Sequence, residues 1–584
     1  MRDVNPSTAQ ARTIIEELTR CGVTDVVLAP GSRSAPLAIA AAEAEAAGAI
    51  VLHVRLDERS AGYCAVGLAH VTGVPAAVIT TSGTAAVNLH PAMVEAHHLG
   101  TPLLALTADR PERLHGVGAN QTIDQLTLFS HAHAVIQMPL AADQPGAVAT
   151  WRSIIARAVA VSTDVFNPGP VHVNIPFAEP LVPDGDDVWS ESLAGRPDER
   201  PWHADARMVG GMSSPFDEVL AGLFDDVTIP ARGVVVIGQH RDPDFTDMAD
   251  EFAAAMGWPV IAEPSGNAAS ADTAISHGAL ILADQVFADA HVPDMVMTIG
   301  NIGLHRSVLA MISRAAMHIA VDQQPEFSDP TRTADVILAA VPMPPEVIDV
   351  DPSWLSSWQR ADLMADAAIA TALGADESLF TGVHVARTVV PTISEDGLLF
   401  LGSSWPVRHV SAFALSDTAD ITVIGNRGTS GIDGCISSAW GAAYAWQRQG
   451  FGQAVALVGD LTFLYDTNGL IVPPDEPQPA LVIVVIDNDG GGIFSALEQG
   501  SPQYEHVFER VFGTPMHQDL PAIAAAFGYP STQVNSVDEL SAALETAYES
   551  GGVHIIVART CTRKREAQLL ADVDRAVGTA LESA

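Results

Sequence analysis

Positive charge is scarce in this chain: 29 Lys and Arg stand against 70 Asp and Glu, a formal net charge of −41 over 584 residues, and the one lysine is Lys564. DNA, RNA and anionic membranes need clustered positive charge, so nucleic acid is excluded as a partner on this balance. A P-loop must end its Gly-rich turn in Lys, and Schiff-base chemistry needs a desolvated Lys; neither is available upstream of Lys564. Any anion held inside the fold must therefore be held by Arg, by His, or by backbone amides at helix starts. Cysteine is sparse as well. Cys21, Cys64, Cys435 and Cys561 lie far apart with no CxxC or Cys/His spacing, which argues against structural zinc or a disulfide framework and leaves them as packing residues. No charge-free apolar run of about 18 residues occurs, so no membrane insertion is expected. The first residues, MRDVNPSTAQARTIIEELTRCG, carry acids and no apolar signal core, so a cytoplasmic location is expected.

What is present is apolar material in short runs. With 48% hydrophobic residues, a chain of this length can bury several cores, and roughly three or four domains is the prior. DVVLAP, IVLHVR, AAVITT and PLLALTA alternate with helical segments starting at Ser34, Glu58 and Thr84. A middle block carries GVVVIG, PVIAE, MVMTIG and HIAVD, and a last block LLFLGSS, ITVIGN, AVALVGD, LVIVVID and HIIVART. Short β-branched runs ending in Gly, Ser or Asp before Ala-rich helices indicate βα units and parallel sheets covered on both faces. The expected fold class is α/β, with three open, mainly parallel-sheet domains over 1–185, 210–345 and 375–584. Breaker-rich stretches at Leu181–Pro215 and Val341–Trp354 separate the blocks. In open sheets of this kind ligands bind at the carboxyl ends of strands.

The stretch from Gly459 to Phe494 places two oxygen ligands at such ends. Asp460 follows the run Ala454–Val458, and Asn488 follows Leu481–Ile486. A carboxylate, an amide carbonyl and a backbone carbonyl, here that of Gly490, suit hard Mg2+ carrying a diphosphate. Gly490, Gly491 and Gly492 let the backbone come close to a ligand. Taken singly, each half reads sooner as an ordinary αβ loop with an Asp cap; the two together reverse that reading. In the first block Glu58 follows IVLHVR, and Ala61, Cys64, Ala65 and Leu68 give the buried face of a helix with Glu58 in its first turn and Asp57 as a candidate N-cap.

A Mg2+-diphosphate site in the last block paired with a Glu at a strand end in the first resembles the thiamine diphosphate enzymes. The local strings PGSRSAPL, DERSAGYCAVGLA, TSGTA, TADRPERLHGVGANQTIDQ, GPVHVNIPFAEPL and NRGTSGIDG resemble one branch of them, the 2-succinyl-5-enolpyruvyl-6-hydroxy-3-cyclohexene-1-carboxylate synthases of menaquinone biosynthesis. The resemblance covers most of the first and last blocks and implies a pyrimidine-binding first domain and a diphosphate- and metal-binding last domain. It implies thiamine diphosphate with Mg2+ or Mn2+, decarboxylation of 2-oxoglutarate, and 1,4-addition of the resulting carbanion equivalent to isochorismate. Glu58 would hydrogen-bond a ring nitrogen of the cofactor's aminopyrimidine from a buried position and favour its imino tautomer. Ser82, Gly83, Gly459, Asp460, Leu461 and Asn488 would join Glu58 in holding the cofactor. Ile432 occupies the position of the family's apolar wedge, and Ile493 and Phe494 that of its apolar wall.

The two substrates carry four carboxylates between them, and bidentate Arg and helix starts are the devices expected to hold these. Matching positions are Ser32, Arg33, Arg110, Ser404, Arg408 and Arg427. Arg306 lies near a family basic site usually filled by Lys. Asn120 and Gln121 are the candidates for orienting the intermediate and relaying protons. The resemblance further implies a homodimer or dimer of dimers, because in the superfamily one cofactor serves blocks from two chains. Departures from the wider pattern are Leu461, often Gly, and Gly492, often Gln. Another thiamine diphosphate 2-oxoacid enzyme is a nearer alternative that the Arg-lined strand ends disfavour. A non-catalytic binding protein is a further one, opposed by intact Glu58, Asp460 and Asn488.

Overall fold

The computed structural model describes residues 5–183, 189–203, 229–240, 242, 244–324, 328–345, 350–376 and 378–582. The expected domain limits at 185 and 210 lie outside the described residues, as do 184–188 and 204–215 of the first breaker-rich stretch and 346–349 of the second.

Three sheets form, and every strand pair in them is parallel. The first holds β1 (Asp25–Leu28), β2 (Val51–Val54), β3 (Ala76–Thr80), β4 (Leu103–Asp109), β5 (Ala134–Gln137) and β6 (Pro170–Pro176), in the order β2-β1-β3-β4-β6-β5. The second holds β7 (Gly233–Ile237), β8 (Val260–Ala262), β9 (Met295–Ile299), β10 (Met317–Val321) and β11 (Val336–Leu338), ordered β11-β10-β9-β7-β8. The third holds β12 (Leu398–Leu401), β13 (Thr422–Ile424), β14 (Ala454–Gly459), β15 (Leu481–Asp487), β16 (Ser531–Val534) and β17 (Val553–Arg559), ordered β13-β12-β14-β15-β17-β16. Central strands such as LVIVVID are buried at every residue. This is what helices on both faces of a parallel sheet require, and it is why their sequences do not alternate.

Strand order decides where ligands can enter. In an open parallel sheet the crevice lies where successive connections leave to opposite sides, outside the carboxyl ends of the strands. That point falls between β1 and β3 in the first sheet and between β12 and β14 in the third. The loops leaving those four strands carry Ser32 and Arg33, Ser82 and Gly83, Ser404, and Asp460. In the second sheet the equivalent point lies between β7 and β9, where an antiparallel bridge joins Gln239 to Asn301.

The chain divides into two compact units. One comprises Met1–Val209, Asn426–Gly450 and Tyr465–Pro479; the other comprises Gly210–Gly425, Phe451–Leu464 and Ala480–Ala584. In the first unit the helix Cys435–Arg448 lies directly on the helix Glu58–Thr72. A Cβ on Gly67 would sit 2.0 Å from the Ser438 carbonyl oxygen, and one on Gly441 would sit 2.2 Å from that of Cys64. Glycine at these two positions is therefore what lets the two backbones touch. We expect Gly67→Ala to cost about 1–3 kcal/mol through overpacking, read as a lower thermal midpoint; an unchanged midpoint would contradict this crossing.

The described part of the polar stretch after β6 is tied down. Trp189 is buried with its ring 5.4 Å from that of Trp151, and Glu191 accepts hydrogen bonds from the Gly146 and Val148 amides at 3.0 and 2.7 Å. In the second unit Asn267 exchanges hydrogen bonds of 2.7 and 3.2 Å with the backbone of Val423 on edge strand β13. Among the described residues no helix is long and apolar enough to cross a membrane.

Candidate active site

In the second unit β14 runs straight into a short helix, Asp460–Tyr465. Because Gly459 pairs with Ile486 in register, Asp460 and Asn488 emerge side by side from adjacent strands. Asp460 is 6% exposed. Its carboxylate accepts from the Gly490 amide at 2.6 Å and from the Leu461 amide at 2.8 Å. Burial, helped by the nearby charges of Asp487 and Asp489, nevertheless pushes its pKa up to about 7, against those two hydrogen bonds. A cation here would relieve both the burial and the crowding of carboxylates.

Asn488 offers a second oxygen beside it. Its Oδ1 is buried with no hydrogen-bond partner among the described residues, while its amide nitrogen donates to Glu566. Glu566 is fully buried, accepts from the Gly382 amide at 2.8 Å, and is pushed by burial up to about 7. His409 lies 3.6 Å from it and is held near 3 by its own burial. An amide turned by its nitrogen toward Glu566 leaves its oxygen aimed the other way, the requirement for a metal ligand. Gly490 places its carbonyl in the same loop, where it already accepts from the Gly492 amide at 2.8 Å, leaving one lone pair. This donor set, an acid, an amide oxygen and a carbonyl, fits Mg2+ or Mn2+. Among the described residues no group of three or more His, Cys, Asp or Glu side chains could hold a metal ion.

The three glycines have a reason beyond ligand approach. Gly490 sits at φ +127°, and a Cβ there would meet the Gly513 carbonyl at 2.0 Å and Arg563 at 2.7 Å. One on Gly491 would meet the Phe512 carbonyl at 2.5 Å. The loop is thus pressed against the turn Glu509–Gly513, with Gly491 donating to Gly513 at 2.8 Å and Arg563 reaching both Glu509 and the Asn488 carbonyl. Gly492 backs onto the Trp405 ring, 2.5 Å from where its Cβ would be; this indole occupies the space that a Gln would need. Phe494 lies beside Phe512 with ring centroids 5.9 Å apart and planes tilted by 54°, and Ile493 and Phe494 are half-buried. Ser404 takes φ +75° ahead of the helix Trp405–Phe413, and Arg408 donates to its carbonyl at 3.0 Å. Arg306 is 79% exposed and paired with Glu498 at 3.0 Å.

In the first unit Glu58 opens the helix Glu58–Thr72, capped by Asp57, whose Oδ1 accepts from Arg59 N at 2.8 Å and Ser60 N at 3.3 Å. Asp57 in turn accepts from Asn468 at 2.7 Å. Glu58 is half-buried rather than buried, with Asn88 Nδ2 3.4 Å away. A first-turn residue at the carboxyl edge of a sheet faces outward in a single chain, which the apolar helix face alone does not reveal.

Ser82, Gly83, Arg110 and Gln121 come together. Arg110 donates to the Ser82 hydroxyl and, at 3.0 Å, to the Gln121 carbonyl, while Gln121 Nε2 donates to the Ser82 carbonyl at 2.9 Å. Gln121 and Gly83 both adopt positive φ, +56° and +80°. Asn120, next to Gln121, and Ser32, next to Arg33, are exposed. Arg33 is buried, donates to the Phe177 carbonyl at 2.9 Å and pairs with Glu179 at 2.8 Å. Burial and then the charge of Arg33 work against protonated Arg110, while Asp109 and Glu179 favour it, so Arg33 and Arg110 are neighbouring cations with acids as their present counter-charges. Ile432 and Arg427 are half-buried on the loop before the helix Cys435–Arg448.

Several residues in these two sites are not singled out by the sequence. Gln125, fully buried, accepts from the Gly83 amide at 2.9 Å and donates to Asn174 at 2.7 Å. Asn174 and His172 on β6 both reach Thr107, and burial pulls the His172 pKa to about 4. Glu566, Trp405, Arg563 and Asn426 also escape. For His172 and Asn174 the sequence signal is a polar residue inside an otherwise apolar run; Gln125 and Asn426 lie in polar strings that carry no such signal.

Comparison with known proteins matches residues 9–128 to the thiamine pyrophosphate enzyme N-terminal TPP binding domain and residues 416–558 to the C-terminal TPP binding domain of the same enzymes. The chain is 43% identical to a 2-succinyl-5-enolpyruvyl-6-hydroxy-3-cyclohexene-1-carboxylate synthase of Thermobifida fusca, over 99% of this chain and all of that one. It is equally 43% identical to the synthase of that name from Saccharopolyspora erythraea, over 93% and 94% of the two chains. A solved structure described as a thiamin diphosphate-dependent enzyme from Mycobacterium smegmatis superposes with a TM-score of 0.62 at 21% identity, covering 94% of this chain and 99% of the other, a likeness of fold.

Proposed function

The chain belongs to the 2-succinyl-5-enolpyruvyl-6-hydroxy-3-cyclohexene-1-carboxylate synthase family, and from that membership we propose how its own residues divide the work. It is a thiamine diphosphate-dependent, carbon–carbon bond-forming enzyme of menaquinone biosynthesis, which decarboxylates 2-oxoglutarate and adds the remaining four-carbon unit to isochorismate. Bound thiamine diphosphate supplies the electron sink that makes the former keto carbon nucleophilic. The observation that carries the assignment of residues is the emergence of Asp460 and Asn488 from neighbouring parallel strands, the latter with a buried, unpartnered oxygen.

Asp460, Asn488 and the Gly490 carbonyl hold the divalent ion, and Gly459 and Leu461 shape the backbone on either side of Asp460. Ile432, Ile493 and Phe494 provide the apolar walls. Glu58 exchanges a proton with the pyrimidine ring, which a carboxylate can do without leaving charge separated. Arg33, Arg110, Arg408 and Arg427, with Ser32 and Ser404, bind substrate carboxylates. Gln121 and Asn120 orient the reacting unit. Arg306, exposed and committed to Glu498, is left out of this set. The working form is a homodimer or dimer of dimers, in the cytoplasm.

The test is consumption of 2-oxoglutarate by the purified protein with thiamine diphosphate and Mg2+, with and without isochorismate. Turnover that requires isochorismate supports the reading, whereas decarboxylation indifferent to it moves the acceptor to another compound.

Metal binding should depend on pH with a definite sign. Asp460, raised to about 7, is protonated below that pH and must release the proton before a cation binds. Affinity is therefore full above pH 7 and falls about tenfold per unit below it. Mn2+ titrated without the diphosphate, followed by the resonance of the free ion, keeps phosphate ionisation out of the measurement. Equal affinity at pH 8 and pH 6 would remove Asp460 as a ligand.

A further inference from the structure

Glu95 lies on the helix His90–Leu99 and is 1% exposed. Its Oε1 accepts from the Gly428 amide at 2.8 Å, and its Oε2 accepts from the Thr429 amide at 2.8 Å and from the Thr429 hydroxyl. All three donors belong to one loop, the segment 426–434 that carries Arg427 and Ile432. The helix end itself is in backbone contact with that loop: a Cβ on Gly428 would stand 2.7 Å from the Leu99 amide nitrogen and 2.8 Å from the Glu95 carbonyl. At the far end of the loop, Tyr63 donates to Asp433 at 2.7 Å, and Gly434, at φ +66°, abuts the Tyr63 ring.

Two features separate this contact from ordinary loop packing. A buried carboxylate is costly to desolvate, and neutral donors return less than a counter-ion would; what it offers is an acceptor at both oxygens, which no neutral side chain can match. Second, Asn426, at the start of the same loop, is 3% exposed, and neither the nitrogen nor the oxygen of its side-chain amide has a hydrogen-bond partner among the described residues. The loop is thus fixed through its backbone from outside, while a polar side chain of its own stays uncommitted inside the fold, available to a ligand.

We propose that Glu95 is a positioning residue of the cofactor site, holding the loop 426–434 so that Ile432, Arg427 and Asn426 present a preformed surface to thiamine diphosphate and substrate. This rests on the functional reading above. Glu95 touches no reacting atom and acts through the loop.

In Glu95→Gln one end of the side chain becomes a donor facing a backbone donor, with volume unchanged. In the full-length protein the variant should bind thiamine diphosphate with Mg2+ about tenfold more weakly by tryptophan fluorescence. Its amide exchange should speed up over 426–434 but not over β14 and β15. Wild-type affinity and kcat in this variant, whether or not loop exchange accelerates, would overturn the proposal. Should Glu95→Gln not fold, Thr429→Val and Thr429→Ser decide: weaker cofactor binding in the valine variant restored in the serine variant supports the clamp, and equal binding in both overturns it. Absence of cofactor binding by the wild type would instead overturn the functional reading and the cofactor role with it; loop exchange in Glu95→Gln would still report separately whether this carboxylate fixes the loop.

Discussion

Glu58→Gln is expected to lower turnover of 2-oxoglutarate by about 100- to 10,000-fold, the span of a lost general acid–base group, with cofactor still bound. The amide keeps the size of the side chain, its place in the first helical turn and its approach to Asn88. The Asp57 cap, which receives the Arg59 and Ser60 amides, is untouched. What disappears is a group that can both give and take a proton at one oxygen. Because Glu58 is half-buried and makes one long hydrogen bond, its replacement should leave the melting midpoint within the range of a surface change, about 0.5 kcal/mol. Substrate consumption and thermal unfolding measured on one preparation separate the two effects. A variant with wild-type turnover would remove Glu58 from catalysis.

Asp460→Ala is expected to have the other large effect, on affinity. The side chain carries the one ionisable oxygen pair among the three proposed metal donors, and its loss also leaves the Gly490 and Leu461 amides without their acceptor. Hydrogen bonds to a charged group contribute about 1.5–3 kcal/mol each, so loosening of the loop that carries Asn488 and Gly490 adds to the missing ligand. Thiamine diphosphate with Mg2+ should bind at least about 100-fold more weakly, the outcome of losing about 3 kcal/mol. Stability of the cofactor-free protein should change far less, because a carboxylate raised to about 7 by burial opposes folding at neutral and higher pH, and its removal offsets the lost hydrogen bonds. Fluorescence titration of the cofactor alongside denaturant unfolding tests both halves. Unimpaired cofactor binding would place the metal elsewhere.

The reach of the sequence can be judged strand by strand. AVALVGD and LVIVVID announce themselves because a strand buried on both faces is continuously apolar and its end is marked by a polar residue. β5, β11 and β16 do not. All three are edge strands, and AVIQ, VIL and STQV each leave residues partly exposed. Half-solvated edges need no apolar run, so no run is there to read. β6 is fully buried, yet its centre carries His172 and Asn174, which bond Thr107 on the neighbouring strand and Gln125 in a loop. Those partners lie 65 and 49 positions away in the chain, beyond any local pattern.

The candidate site divides in the same way. The sequence by itself determined that this is an α/β chain, that any anion inside it must be met by Arg, His or backbone amides, and that Glu58, Asp460 and Asn488, the proposed site residues, stand at strand ends. Each of these is a local fact, a residue type at the end of an apolar run. Only the tertiary structure decided which strand ends face a crevice, because strand order sets the switch points between β1 and β3 and between β12 and β14. It alone showed that Gly490 and Gly491 are glycine because the turn Glu509–Gly513 presses on them, that Trp405 takes the room of a Gln at Gly492, and that Glu95 grips a loop 333 residues away. Such contacts join segments remote in the chain, and the hydrophobic pattern that selects strands and helices carries no information about which remote backbone will lie against them.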